Sequence, residues 1–262
     1  MITSTSNPLI KRIRKLKQKK FRVQEGAFFV EGVRVFLSAV EAKTPLQTIL
    51  YSPELLTSDL ALASIINQRE AGIDCVETTA QVFQSISSRE HPVGLGAIVS
   101  TIWLPLESLP VPQDGVFVCL VDVAEPGNLG SIIRTVDAIG GDGLVIAGQG
   151  VDPFHPTAVK ASMGTLFHVP ISRVDSGQDL LRWTKERDIT TVMTSARAAQ
   201  SFWDADYRRP IMIMMGSERE GLPAELMTRG DYSVSIPMRG SASSLNLAVA
   251  AGLIMYEILR RG

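Results

Sequence analysis

"VFVCLVDVAEPGNLGSIIRT", Val116 to Thr135, decides the fold class. Its first eight residues carry one charge, Asp122, and are otherwise apolar, the pattern of a parallel strand covered on both faces. Pro126 and Gly127 then turn the chain. Asn128 is placed to cap a helix in which Ile132, Ile133, Val136 and Ile139 recur along one face. "GLVIAG", "TTVMTSA", "PIMIMMG" and "YSVSIPM" supply further strands, with helical stretches between several of them. The second half therefore reads as a mainly parallel α/β domain.

Upstream, "AFFVE", "TILYS", "IDCVE" and "GAIVS" read as strands separated by amphipathic stretches with cap or stop residues such as Asp59, Gly72 and Thr79. That is a small α/β unit. Pro105, Pro110 and Pro112 in "WLPLESLPVPQDG" suit an extended linker, which gives domains at 1–105 and 113–262.

The 262 residues are 45% apolar and 20% charged, enough to bury a core without cross-links. No apolar run reaches a bilayer span, so no membrane role is expected. Cys75 and Cys119 lack redox or zinc spacing, and a reducing cytoplasm is the expected location.

Charge is unevenly placed. Lys11, Arg12, Arg14, Lys15, Lys17, Lys19, Lys20 and Arg22 all precede the first acid, Glu25, and the other 18 basic residues face 27 acidic ones. The acid-free start can be a solvated tail or a targeting peptide. Alternatively, Leu9 or Ile10, Ile13 and Leu16 form the apolar stripe of a docked helix whose eight cations face RNA phosphates. Such contacts hold RNA without selecting a sequence.

The common catalytic signatures are absent: no G-x-G-x-x-G turn, P-loop, H-E-x-x-H helix or G-x-S-x-G elbow occurs. His91, His155 and His168 have no metal-ligand spacing, so no metal is expected, and each suits a surface or packing role. Three loops at expected strand ends stand out instead: "EPGNLGSIIRT", "GSEREGLP" and "PMRGSASSLN". On a parallel sheet they would share the carboxyl edge, where ligands collect.

Within them, Arg134 can reach over the cleft or pair with Asp137. Glu218 can serve the site, cap a helix or pair with Arg219. Gly216 permits close backbone approach, and Ser244 and Asn246 can cap the final helix or serve a ligand. The third loop's small residues leave its backbone open to an adenine-sized guest.

Taken together these motifs resemble the SpoU family of the SPOUT class, S-adenosylmethionine-dependent methyltransferases acting on an RNA ribose 2′-hydroxyl. "PGNLGSIIRT", "IMIMMGSEREGLP" and "SIPMRGSASSLNLAVAAGLIMYE" resemble the family's three motifs, in order, and "VKASMGTLFHVP" resembles the segment between the first two. "NPLIKRIRKL" with "GAFFVEG" resembles the RNA-binding domain often joined to them. Glu125 stands where aspartate is common.

The resemblance implies a deep trefoil knot in the C-terminal domain and a homodimer packed through it, with Ala248, Ala250, Ala251 and Gly252 allowing close helix packing. It implies S-adenosylmethionine bound against Thr194, Ser195, Ala196, Gly216, Ile236, Met238 and Leu245. Asn128, Arg134, Glu218, Ser244 and Asn246 become the catalytic set. The family's arginine is often given the role of general base. A guanidinium holds its proton in proteins, so gripping a phosphate and stabilising the developing alkoxide is the more economical role. Ribosomal RNA is the expected substrate, transfer RNA the alternative. A non-catalytic RNA-binding protein on the same fold is a third reading, which cofactor binding would separate.

Overall fold

A computed structural model describes residues 1–261. In chain order the first compact unit holds α1 (Pro8–Leu16), α2 (Lys19–Glu25), β1 (Ala27–Glu31), α3 (Val33–Glu41), β2 (Leu46–Tyr51), α4 (Asp59–Glu70), β3 (Asp74–Glu77), α5 (Ala80–Gln84) and β4 (Leu95–Ser100). The second opens with β5 (Val116–Val121), α6 (Pro126–Ala138) and β6 (Gly143–Ala147). The chain then returns to the first unit for 152–168, which carries α7 (Pro156–Ser162). Back in the second unit come β7 (Ile171–Val174), α8 (Gly177–Glu186), β8 (Thr190–Thr194), β9 (Gln200–Ser201), β10 (Ile211–Met215), α9 (Ala224–Met227), β11 (Tyr232–Ser235) and α10 (Leu247–Arg261).

In the first unit the sheet order is β1-β4-β2-β3, with only β2 and β3 parallel. Asn7 caps α1 by accepting from the Leu9 N–H at 2.8 Å, and Pro8 at the first helical position has no N–H to leave unpaired. Ile10, Ile13 and Leu16 are fully buried, each stabilising the helix's docking by roughly 1.5–3 kcal/mol at most. The basic stretch forms two helices rather than one, because it breaks at Lys17 and Gln18. Ser58, not Asp59, caps α4, while Thr79 caps α5 and Gly72 turns the chain with φ +90°.

The return segment 152–168, read from sequence as part of the second half, packs within the first unit. Its anchor is Arg22, 2% exposed, whose guanidinium meets the Asp152 carboxylate at 2.7 Å and donates to the Leu16 and Lys17 carbonyls at 2.9 Å. The Phe154 ring lies on Phe28, centroids 4.8 Å apart.

The second unit is built on a seven-stranded sheet ordered β7-β6-β5-β10-β8-β11-β9, every pairing parallel. β5 and β10 are buried along their whole length, as their unbroken apolar sequences require. The two edge strands, β7 and β9, are four and two residues long and carry no readable period. The proline-rich stretch is not a free linker: Leu106 and Leu109 are buried in this unit's core and the Leu104 N–H donates to the Ile171 carbonyl at 2.9 Å.

α10 packs on α6 through Ala251, Ile254, Met255 and Ile258, all buried. Gly252 serves no close contact within the chain, since a Cβ there would meet only Thr135, 4.0 Å away. The opposite face is apolar and uncovered, with Val249 51%, Leu253 42% and Tyr256 53% exposed. No helix among the described residues is long and apolar enough to cross a membrane.

Candidate active site

β5, β10 and β11 each end on the carboxyl edge and run into the three loops singled out above. Asn128 does not cap α6. Pro126 occupies the first helical position, which puts Asn128 inside the first turn with its amide free to turn outward. The amide nitrogen donates to Glu218 Oε1 at 2.8 Å. Glu218 also accepts from the Ala124 and Glu125 backbone N–H groups at 3.3 and 3.4 Å, so the carboxylate from the β10 loop fastens the entrance of α6. It forms no ion pair with Arg219 among the described residues.

The third loop joins the same chain of bonds. Asn246 Oδ1 caps α10, accepting from the Ala248 and Val249 N–H groups at 2.9 and 3.3 Å. Its amide nitrogen donates to Asn128 Oδ1 at 2.9 Å. Two side-chain hydrogen bonds, spanning 90 and 118 residues of sequence, thus tie the second and third loops to the first. Ser244 lies exposed on that third loop and makes no hydrogen bond among the described residues.

Burial pushes the Glu218 carboxyl up, but the Asn128 amide and the N–H groups of Glu218, Ala124 and Glu125 outweigh it and hold the group below the usual carboxylate range. Glu218 is therefore an anion and an acceptor at neutral pH, which fixes the donor face of Asn128 toward it. The Asn128 oxygen is left for Asn246.

Arg134 is exposed and, among the described residues, pairs with neither Asp137 nor any other group. The same holds for Arg197, Arg219 and Arg239, which follow the ends of β8, β10 and β11. Arg219 is masked in a charge count by its flanking acids Glu218 and Glu220, while Arg197 and Arg239 are single cations in otherwise uncharged stretches and form no basic run. The available signal was position, each lying within a few residues of a strand end.

Of the residues expected to hold the cofactor, Thr194 donates its hydroxyl to the Met214 carbonyl at 2.9 Å, and Ser195 accepts from the Arg197 N–H at 3.2 Å. Ala196 is exposed in the turn that follows. Gly216 is tight against its own loop: a Cβ would sit 2.0 Å from the Gly221 carbonyl carbon, so the glycine is needed to close the turn. From Ile236 to Leu245 no backbone N–H or C=O forms a hydrogen bond among the described residues; Ile236 and Met238 are half-buried and Leu245 is exposed.

The eight N-terminal cations divide by type. Lys11, Lys15, Lys17, Lys19 and Lys20 are exposed. Arg12 is spent on Glu25 at 2.6 Å and Gln47 at 2.7 Å, and Arg14 on the Thr5 carbonyl and Ser85. Arg22, expected to face RNA, is buried on Asp152. His155 accepts from the Thr157 N–H at 3.1 Å as the cap of α7, and burial and Arg22 lower its pKa. No group of three or more His, Cys, Asp or Glu among the described residues is placed to hold a metal ion.

A parallel α/β domain with converging polar loops and unpaired arginines at its carboxyl edge defines a ligand-binding enzyme domain of the strand-end type. The particular kind follows from comparison with known proteins. Residues 115–256 match the SpoU rRNA Methylase family and residues 7–97 an MRM3-like substrate binding domain. The chain is 34% identical over 252 residues to a 23S rRNA (uridine(2479)-2′-O)-methyltransferase of Streptomyces viridochromogenes, covering 94% of this chain and 87% of the relative. Among solved structures, the SpoU methyltransferase AviRb of Streptomyces viridochromogenes in complex with AdoMet superposes with TM-score 0.89 at 33% identity, covering 97% of this chain and 98% of that one. An AdoMet-bound rRNA methyltransferase from Sinorhizobium meliloti gives 0.90 at 32% identity, covering 99% and 97%. The chain belongs to the SpoU rRNA methylase family.

Proposed function

We propose that this protein transfers a methyl group from S-adenosylmethionine to a ribose 2′-hydroxyl of RNA, with 23S-type ribosomal RNA the favoured substrate and transfer RNA the second. The observation that carries the reading is the Asn246–Asn128–Glu218 chain of hydrogen bonds, which draws all three loops together while leaving Arg134 unpaired. The relatives' activities supply the reaction class.

The residues present fit the cofactor by their donor set. Ten consecutive residues from Ile236 to Leu245 have unused backbone donors and acceptors for an adenine edge, with the apolar side chains of Ile236, Met238 and Leu245 for its faces. Thr194 to Ala196 and the Gly216 turn follow the ends of neighbouring strands β8 and β10 and would complete the binding wall. When bound, S-adenosylmethionine supplies a sulfonium methyl open to in-line attack by an oxygen.

Arg134 then holds the phosphate next to the target ribose and stabilises negative charge growing on the 2′-oxygen, while the released proton passes to solvent. Asn128 and Asn246 hold the loops that frame the oxygen, and Ser244 offers the attacking hydroxyl a hydrogen-bond partner. The exposed lysines of α1 and α2 draw RNA to the first unit.

The strand order supports a trefoil knot, because β10 inserts between β5 and β8, strands laid down before it, and the chain must then pass on to α10. The uncovered apolar face of α10 supports a homodimer built on that helix. Two free cysteines suit a reducing cytoplasm. The test of the reaction is transfer of labelled methyl to unmodified ribosomal RNA, with transfer RNA as the second arm.

A further inference from the structure

A concavity within the first unit has an apolar floor of Phe29, Ile86, Phe154 and Val159 and a rim carrying Lys17, Arg89 and Lys160. The one acid at its edge, Glu31, is already engaged: its carboxylate accepts from the Ser87 hydroxyl, the Ser88 N–H at 2.9 Å and the Ser88 hydroxyl at 3.2 Å. Those bonds fix the loop that presents Arg89. The Arg89 guanidinium rests on the bare Cα of Gly32, where a Cβ would come within 2.7 Å of Nη2, and Nη2 donates to the Glu31 carbonyl at 3.4 Å. Its Nε and Nη1 have no partner among the described residues.

The other two cations are brought to the rim by Arg22. One guanidinium nitrogen of Arg22 donates to the Lys17 carbonyl while others hold Asp152, at the start of the segment that carries Lys160. A charge buried this deeply is retained at a cost in desolvation, and here it joins the two pieces of chain that flank the concavity.

We propose that this notch binds one unpaired nucleotide of the RNA substrate, its phosphate against Lys17, Arg89 and Lys160 and its base on the Phe29 side of the floor. The inference rests on the RNA-methyltransferase reading and adds to it a recognition site separate from the methyl-transfer loops. Three cations around an aromatic and aliphatic floor match the two halves of a nucleotide, and a base inside an A-form duplex could not reach the floor. A free inorganic anion would leave the floor unused.

The test compares two double variants that each remove two exposed lysines from the basic segment or its neighbour. Lys17→Gln/Lys160→Gln removes two of the rim's three cations, whereas Lys19→Gln/Lys20→Gln removes the same charge elsewhere on the first unit. Binding of an in vitro transcript of 23S ribosomal RNA is measured across a salt series, with S-adenosylmethionine affinity measured alongside. Both variants should flatten the salt slope by roughly 1.4, about 0.7 for each single-strand phosphate that a lysine no longer neutralises. The rim variant should also lose about tenfold or more in affinity at fixed salt, against about threefold or less for the control, with cofactor affinity unchanged in both. Equal losses, or no loss at the rim while the wild-type protein binds RNA, overturn the notch alone. Wild-type protein that binds cofactor but no RNA overturns the RNA reading and the notch with it.

Discussion

Asn128 uses both ends of one amide, donating to Glu218 and accepting from Asn246, so neither isostere nor truncation is neutral there. Asn128→Asp replaces the donor by a second carboxylate facing Glu218; methyl transfer should fall at least 100-fold in single-turnover assays, and a variant with near wild-type turnover would remove the amide from the mechanism. Arg134→Lys keeps a cation but loses the planar fork. Measurable turnover with a weakened pH dependence is expected, and a dead Lys variant that still binds RNA and cofactor contradicts the electrostatic role. Glu218 gives a pH prediction with a definite sign. Its folded-state pKa lies below the ordinary 4.5, so its hydrogen bonds contribute stability that is complete above that value and lost as pH falls through the lower folded one. Melting temperatures of wild type and Glu218→Gln should therefore differ at pH 7 and converge in acid; a gap that widens in acid contradicts the assignment.

At the scale of elements, the return segment 152–168 held by Arg22 is the least expected feature. Arg22→Met leaves Asp152 buried without its partner and should destabilise the first unit by roughly 3–5 kcal/mol in denaturant unfolding, while Arg22→Met/Asp152→Leu should recover most of that loss. Equal stability of the single and double variants would show that the pair is not what anchors the segment. Much of the architecture was legible here: the unbroken apolar runs of β5 and β10 announce a parallel sheet, and Ile10, Ile13 and Leu16 announce a docked helix. The return segment was not, because "VDPFHPTAVKASMG" has the pattern of any helix after a strand and nothing local states which unit covers it. Arg22 was misplaced for a related reason. A cation among cations reads as solvated until its partner, 130 residues away, is known. Asn128 read as a cap because a helix start needs an acceptor, and that acceptor came instead from Glu218, in another loop.

For the whole molecule, the exposed face of α10 leads to an assembly prediction. Leu253→Asp should convert a dimer to a monomer in light scattering at micromolar concentration, and an unchanged mass for the variant contradicts a dimer built on that helix. At the helix's end, Arg260 and Arg261 hold the Glu257 carboxyl down to about 2, so this clasp is kept at any pH where the enzyme would work. The most direct measurement is incubation of the protein with methyl-labelled S-adenosylmethionine and unmodified ribosomal RNA, followed by mapping of the label. The expected result is label on a single ribose 2′-oxygen, seen as a linkage resistant to alkaline cleavage and absent with Arg134→Ala. Label on a base, or none on ribosomal or transfer RNA from protein that binds the cofactor, would contradict it.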